Sequence, residues 1–417
     1  MDTYYFDNAA TTKVKNEVLQ EMLPYYSEKY GNPSAVYAIA REAKKDIEKA
    51  REKVANLIGC EKKEIYFTAS GSEADNTAIK SVAYKNRFKG NHIITSKIEH
   101  HAILESCESL EKQGFEITYL NVDKNGFINL SELRNSIREE TILISIMFAN
   151  NEIGTIEPIE DIAQIAKEKN IIFHTDAVQA VGNVNIDVKS MGIDMLSLSG
   201  HKIYGPKGIG ALYVKNGIEF DKFINGGHQE RNKRAGTENT AGIIGLGKAS
   251  ELAKESLNEH IKKVKELRDY YVEQVNNKIP NIRINGALNA RLPGNSNISF
   301  EGVNGNDLLL ELDNVGICAS SGSACNSEET APSNVLSAIG LDSKTAKSAL
   351  RVTFGEFNTK YEVDYLLENL EMAVKKLRNL WLIYLVFMLQ FTVKLLKART
   401  RFIYLFLCVN PFFLTKM

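Results

Sequence analysis

The chain has 417 residues, 44% of them hydrophobic and 25% charged, the arithmetic of a globular protein of two or three domains at roughly 150 residues each. Lys and Arg number 51 against 52 Asp and Glu, a formal charge of -1, so no overall basic field exists to hold nucleic acid or an anionic membrane surface. The five cysteines, Cys60, Cys107, Cys318, Cys325 and Cys408, are odd in number and none forms a CxxC pair, which argues against a disulfide framework or a zinc site.

The N-terminal stretch MDTYYFDNAATT carries Asp2 and Asp7 and lacks a basic region followed by an apolar run. It does not read as a secretory signal, and a cytoplasmic location is the expectation. Between residues 60 and 215, short β-rich apolar runs alternate with amphipathic helical patterns. Residues 65–68 read as a strand, then 69–72 as a turn and 73–85 as a helix. The cycle repeats with a strand at 93–95 and a helix at 101–112, then a strand at 142–147 and a helix at 159–169. Strands at 171–174 and 195–198 complete the series. Continuous apolar strands separated by helices predict a mostly parallel sheet covered on both faces, with ligands outside the carboxyl ends of the strands. Beyond Gly245 a long charged helix at 257–277 leads into strands at 282–284, 297–300 and 351–353 and helices at 305–313, 333–339 and 361–377. This is the pattern of a smaller α+β domain, and the absence of a low-complexity linker implies that the two parts share an interface.

The loops after the strands hold Gly71 and Ser72, then His100, Asn151, Asp176 through Gln179, and Ser199-Gly200-His201-Lys202. A small-residue turn that opens a helix offers unpaired N–H groups and a positive dipole end, which suits a phosphate, although such turns are common before helices. Asp176 follows an apolar strand and reads either as a helix N-cap or as the partner of a buried cationic heterocycle nitrogen. Lys202 emerges among turn residues at a strand end, and a desolvated lysine amine can form a Schiff base with a carbonyl. A cofactor bearing an aldehyde, a phosphate and a pyridinium uses all of these groups, and pyridoxal phosphate is such a cofactor.

With these residues in view, the sequence resembles the cysteine desulfurases of the NifS/IscS type, in the fold-type I pyridoxal-phosphate superfamily and the class-V aminotransferase family. The stretches that carry the resemblance are YFDNAATT near the start, YGNPSA at 30–35, FTASGSEADN at 67–76, EHHAILES at 99–106, ANNEIGT at 149–155 and HTDAVQA at 174–180. They continue with SLSGHKIYGPKGIGALY at 197–213, RAGTENT at 234–240, SSGSACNS at 320–327 and RVTFG at 351–355. The resemblance covers about residues 3–378. It implies an α/β fold with an N-terminal segment, 1–15, associated with the small domain, a large cofactor-binding domain over 16–256 and a small α+β domain over 257–380 that holds the cysteine loop. It also implies site roles. Lys202 links covalently to pyridoxal 5'-phosphate. Asp176 faces the pyridinium nitrogen, Gln179 donates to the ring oxygen, and His100 stacks on the ring and assists acid–base steps. Gly71, Ser72, Ser199 and His201 bind the phosphate, with Thr237 reaching it from the neighbouring subunit of a homodimer. Asn151 contacts cofactor and substrate, and Arg351 clamps the substrate carboxylate through its planar fork.

Cys325 selects the reaction. The run Ala319-Ser320-Ser321-Gly322-Ser323-Ala324 before it contains no side chain large enough to bury a thiol, and an exposed cysteine reacts once it becomes a thiolate. By contrast Cys60, Cys107 and Cys318 read as packing residues. The resemblance implies that L-cysteine gives up its sulfur to Cys325 as a persulfide and leaves as L-alanine. The sulfur then passes to an iron–sulfur scaffold protein or a tRNA-thiolating acceptor. No resident metal is implied, and Cys325 meets an iron–sulfur cluster at most transiently during transfer. The SSGSAC motif and the residues after it look like the longer-loop NifS/IscS branch rather than the SufS branch. Two other readings compete. An aminotransferase of a small amino acid needs Lys202, Asp176 and Arg351 but not Cys325. A membrane-attached interaction protein would work through the C-terminal tail.

That tail, 381–417, has 37 residues with no Asp, Glu or Gly, five Lys or Arg and 9 of the 36 aromatics, and residues 1–380 without it carry a charge of -6. Its apolar runs at 380–391 and 402–409 are shorter than the ~20 residues that span a bilayer. It reads as a hairpin, as an interfacial helix, or as the out-of-frame translation of an AT-rich gene; the last reading is favoured.

Overall fold

The computed structural model describes residues 2–321 and 332–379; Cys325 and the tail 381–417 lie outside them. Twelve strands are described: β1 (Tyr4–Tyr5), β2 (Ile65–Thr68), β3 (His92–Ser96), β4 (Glu116–Leu120), β5 (Thr141–Ser145), β6 (Ile172–Asp176), β7 (Met195–Ser199), β8 (Gly210–Val214), β9 (Ile282–Ile284), β10 (Asn295–Phe300), β11 (Ile317–Cys318) and β12 (Ala349–Thr353). β2 to β8 form one seven-stranded sheet in the order β2-β8-β7-β6-β5-β3-β4. The β4-β3-β5-β6-β7 ladder is parallel, and β8 runs antiparallel to β7 and β2.

The alternation of side chains explains why these strands read as unbroken apolar runs. Ile94, Ile144, Leu196 and Leu198, with Ala211 and Tyr213, pack into one core beneath the helices Ala38–Ile58, Ile159–Glu168 and the first part of Thr240–Lys278. Their neighbours in sequence, Ile93, Leu143, Met195, Leu212 and Val214, pack into a second core against the helical run 71–86 and the helix His101–Glu111. Successive residues of a strand face opposite sides, so a sheet buried on both faces needs apolar residues at every position.

Sequence periodicity misses β4 and β8. β4 is an edge strand whose first residue, Glu116, is exposed and whose next three are half-buried, so it lacks the continuous apolar signature. β8 opens with Gly210 in a Gly- and Pro-rich stretch that reads as a turn. A Cβ there would lie 2.7 Å from the Leu198 carbonyl oxygen, so glycine is required by the close approach of β7.

A second difference concerns the long helix. The pattern places its start at 257, but it begins at Thr240, where the Asn239 side chain accepts the N–H of Gly242, and it continues to Lys278. Gly245 and Gly247 made the first turns look like a breaker. They are there for packing: a Cβ on Gly247 would sit 2.6 Å from the Ala50 Cβ, and one on Gly245 would sit 2.5 Å from the Met22 Sδ. The helix therefore crosses position 257. Ile243 to Ala249 belong to the first core, while Val264, Tyr271 and Val275 belong to another core, shared with Phe6, Ile298, Phe300, Leu350 and Val352.

This last core sits beneath a three-stranded antiparallel sheet, β12-β10-β9, and helices Gly305–Asp313 and 360–379. The N-terminal strand β1 pairs in parallel with β11, and Asp7 bridges to Thr353. The chain then crosses to the large sheet, where Thr12 N donates to the His201 carbonyl at 2.9 Å.

One turn on the large part is held in an unusual backbone conformation. Glu230, Arg231 and Asn232 have φ of 45°, 54° and 65°, a left-handed path that costs about 1–2 kcal/mol per non-glycine residue. Glu230 anchors it. Its buried carboxylate takes a bidentate pair from the equally buried Arg51 at 2.6 and 2.8 Å and the N–H of Phe67 at 2.9 Å. Arg51→Ala is expected to leave that carboxylate buried and uncompensated. The cost is about 3–5 kcal/mol, read as a lower urea midpoint at unchanged slope.

Candidate active site

The parallel strands deliver their carboxyl ends to one edge of the sheet, and a cavity of about 340 Å³ opens there. Thr68 of β2 leads to Ser70, whose hydroxyl accepts the N–H of Glu73 at 3.1 Å and so caps the helical run 71–86. Gly71 and Ser72, its first residues, line the cavity. A first helical turn has no carbonyl one turn earlier for its N–H groups. β3 leads to Glu99 and His100, β5 to Asn151 and Glu152, β6 ends at Asp176, and β7 ends at Ser199 before the tight turn Gly200–Lys202. All of these side chains line the same cavity.

Three carboxylates gather behind it. Asp176 is buried and accepts the Val178 N–H at 2.9 Å; burial raises its pKa, while His100 and Lys202 act in the opposite direction. Burial also holds Asp75 well above the usual carboxylate range, and the nearby Asp176 adds to this. Glu99 is pushed up to about 8 by burial, against hydrogen bonds from Ser96 Oγ at 2.6 Å and Met147 N at 2.9 Å. Adjacent carboxylates in low dielectric do not all ionise together. Asp176, the only one of the three with Lys202 acting against the rise, is the one placed to carry the negative charge. Beneath it, His174 bridges Ser145 Oγ at 2.9 Å and Ser197 Oγ at 3.0 Å, and burial holds it near a pKa of about 3, so it is neutral.

His100 caps the helix His101–Glu111: its Nδ1 accepts the Ala102 N–H at 3.1 Å. That bond puts the proton of the neutral ring on Nε2. Burial lowers the pKa of His100 against the opposing pull of Asp176, with Lys202 and His101 adding to the fall, and burial with Lys202 and Lys207 lowers His201 to about 4.

The opposite wall comes from the N-terminus. Lys202 Nζ donates to the carbonyls of Ala9 and Ala10, the latter at 2.7 Å, and Gln179 Nε2 donates to Ala9 O at 2.9 Å. On β12, Arg351 reaches Asp7 Oδ1 at 2.7 Å and Asn151 O at 3.3 Å, while its buried Nε has no hydrogen-bond partner among the described residues. Glu152 accepts Ser333 Oγ at 2.6 Å and is raised to about 7 by burial.

The structure thus brings together Gly71, Ser72, His100, Asn151, Asp176, Gln179, Ser199, His201, Lys202 and Arg351. Thr237 is not in this group; it is exposed and lines a second cavity, with Thr68, Ala69 and Arg234. Cys325 lies outside the described residues, and Ser333 and Asn334, which follow its loop in sequence, line the first cavity. Sequence reading missed Asp75, Glu99, Glu152 and the backbone of Ala9 and Ala10. For the three acids the signal was present in the SEADN, EHHA and NNEIG stretches, as carboxylates next to site positions just after buried strands.

These residues fit pyridoxal phosphate. A buried ionisable carboxylate waits for a cationic nitrogen, an amine and a neutral imidazole share its cavity, and the turn at Gly71 admits no side chain, since a Cβ there would lie 2.7 Å from Val178 Cγ2. The volume lies within the ~300–1,000 Å³ range of small-molecule sites.

Comparison with known proteins agrees with this chemistry. A sequence model of the class-V aminotransferases matches residues 4–366. The chain is 54% identical over 378 residues to a cysteine desulfurase IscS of Clostridium botulinum, covering 90% of this chain and 95% of that one. Among solved structures it resembles a NifS-like protein at 39% identity and a TM-score of 0.85, covering 90% of this chain and all of the other. It also resembles SspA in complex with cysteine at 40% identity and a TM-score of 0.76, covering 86% of this chain and all of that one.

Proposed function

Because the chain belongs to the class-V aminotransferases, in the cysteine desulfurase branch of NifS/IscS type, we propose that it converts L-cysteine to L-alanine and takes the sulfur onto Cys325. The observation that carries this reading is the convergence of Lys202, Asp176, His100 and Arg351 on one cavity. Its cofactor is pyridoxal 5'-phosphate, which when bound supplies an electron sink for bond changes at the amino acid's carbons.

The chain's residues do the rest. Arg351 offers the cavity a guanidinium fork fixed by Asp7; this orients the amino acid. The Lys202 amine moves protons at the substrate carbon, and His100 contributes a proton on Nε2. The Cys325 thiolate then attacks the substrate sulfur: the carbon–sulfur bond breaks, a sulfur–sulfur bond forms, and a proton completes the methyl group of alanine. Gly71, Ser72, Ser199 and His201 hold the cofactor phosphate, Gln179 and Asn151 contact its ring, and Thr237 completes the phosphate site of a neighbouring subunit in a homodimer. The sulfur leaves to an iron–sulfur scaffold protein or a tRNA-thiolating acceptor, and the enzyme works in the cytoplasm. No helix of the described residues is long and apolar enough to cross a membrane, and the tail 381–417 lies outside them.

Incubation of the full chain with labelled L-cysteine and no keto acid tests this reading. Alanine is expected in step with sulfide under reductant, with one extra sulfur on the peptide that contains Cys325. Cys325→Ser is expected to lower sulfide release by at least about 10²-fold. Release at the wild-type rate would remove the persulfide step, and a strict keto-acid requirement would favour the aminotransferase.

A further inference from the structure

Glu73 stands in the first turn of the helical run 71–86, beside the cavity-lining pair Gly71 and Ser72. A carboxylate at that position is favourable for an empty helix, because it complements the positive end of the helix dipole. For a helix that must also take a phosphate, the same charge is a competitor. The structure answers this conflict with Arg234. Its Nε donates to Glu73 Oε1 at 2.9 Å and its Nη2 to Oε2 at 3.2 Å, while the Ala69 N–H also donates to Oε2 at 2.9 Å. The pair is mostly buried, with side chains 24% and 10% exposed.

Arg234 is itself held in place. It follows the left-handed turn of Glu230, Arg231 and Asn232, which is fastened to β2 by Arg51 and Glu230 and by the Arg231 guanidinium stacked 4.2 Å from the Tyr66 ring centre. β2 is the strand that leads into Ser70 and Gly71. One strand therefore sets both the cavity turn and the arginine beside it. The other acids near Arg234 are Glu230, already paired with Arg51, and Glu238.

We propose that Arg234 is a positioning residue that masks the charge of Glu73, so that the turn at Gly71 and Ser72 accepts a dianionic phosphate. The inference rests on the reading of that turn as the cofactor's phosphate site. Its distinctive consequence is ligand selectivity: an unmasked Glu73 repels the phosphate of pyridoxal 5'-phosphate and leaves pyridoxal, which has none, unaffected.

The test titrates the full-length apoprotein with pyridoxal 5'-phosphate and with pyridoxal, following absorbance. Arg234→Gln is expected to weaken binding of the phosphorylated ligand on the order of tenfold and to leave pyridoxal unchanged. Glu73→Gln alone is expected to bind the phosphorylated ligand at least as well as the wild type. Arg234→Gln combined with Glu73→Gln is expected to recover wild-type affinity to within about twofold. Equal weakening of both ligands in Arg234→Gln would mean that the turn had merely moved, and would overturn the proposal. A double variant as weak as Arg234→Gln would mean that the arginine attracts the phosphate directly, and would overturn it as well. A wild-type protein that does not prefer the phosphorylated ligand would remove the phosphate reading of Gly71 and Ser72 and this inference with it.

Discussion

Lys202→Ala is expected to lower cysteine turnover by at least about 10³-fold, because it removes the group proposed both to tether the cofactor covalently and to move protons at the substrate carbon. The location of Lys202 makes substitution by a neighbour implausible on geometric grounds. β7 ends at Ser199 and the tight turn Gly200–Lys202 brings the side chain into the cavity. There its ammonium is held by the Ala9 and Ala10 carbonyls and faces Asp176 and His100. Among the described residues, the other nitrogen bases that line the cavity are imidazoles or the guanidinium of Arg351, and neither kind forms the same link to an aldehyde. Lys202→Arg is expected to be as inactive as Lys202→Ala, since a guanidinium keeps its charge at any working pH and does not give up its proton. The measurements are turnover and the shift in the absorbance of added pyridoxal 5'-phosphate that marks a link between its aldehyde and the protein, expected in the wild type and absent from both variants. Lys202→Arg activity within about tenfold of wild type would show that positive charge, rather than an amine, is what the site needs.

The parts of this site that were legible in the sequence are those where one residue type can do one job. Asp176 ends one buried strand and Lys202 stands in the tight turn that follows another, where a charged group is costly unless it is used, so their positions alone raise the question of function. The strands β2, β3, β5, β6 and β7 were legible because a sheet covered on both faces leaves unbroken apolar runs. β4 was not, since its Glu116 is exposed at the sheet edge, and β8 was hidden by Gly210, which is present for close approach rather than for a turn. The N-terminal half of the helix Thr240–Lys278 was hidden in the same way by Gly245 and Gly247. Local propensity gave way in each case to tertiary packing. The wall formed by Ala9 and Ala10 was illegible for a different reason. Its contribution is made by backbone carbonyls some 190 residues away in sequence from Lys202, and no side-chain pattern announces a backbone acceptor. Likewise Asp7 looked like an ordinary polar residue until Arg351 was seen to lean on it at 2.7 Å.

Asp176→Asn is expected to lower turnover by about 10²–10³-fold, the usual cost of removing one preorganised charge from a buried site, with folding retained. The substitution is nearly isosteric, and an Asn oxygen can still accept the Val178 N–H that Asp176 now takes at 2.9 Å. What it removes is the negative charge facing the cavity, which on the proposed reading keeps a ring nitrogen protonated when the cofactor is bound. The loss is specific to Asp176 if Asp176, and not a neighbour, is the ionised member of the buried acid group. Asp75 and Glu99 supply the control. Both are raised chiefly by burial, Glu99 to about 8, and neither has Lys202 acting against that rise as Asp176 does, so an amide in either place removes less charge than one at Asp176. Asp75→Asn is therefore expected to keep activity within about tenfold of wild type. The two variants are compared by turnover and by the pH dependence of the bound cofactor's absorbance, which is expected to move in Asp176→Asn and to stay in place in Asp75→Asn. Equal losses in both, with equal spectral shifts, would mean that the charge is shared between Asp75 and Asp176, and that the pair titrates as one unit rather than as a single carboxylate with a neutral neighbour.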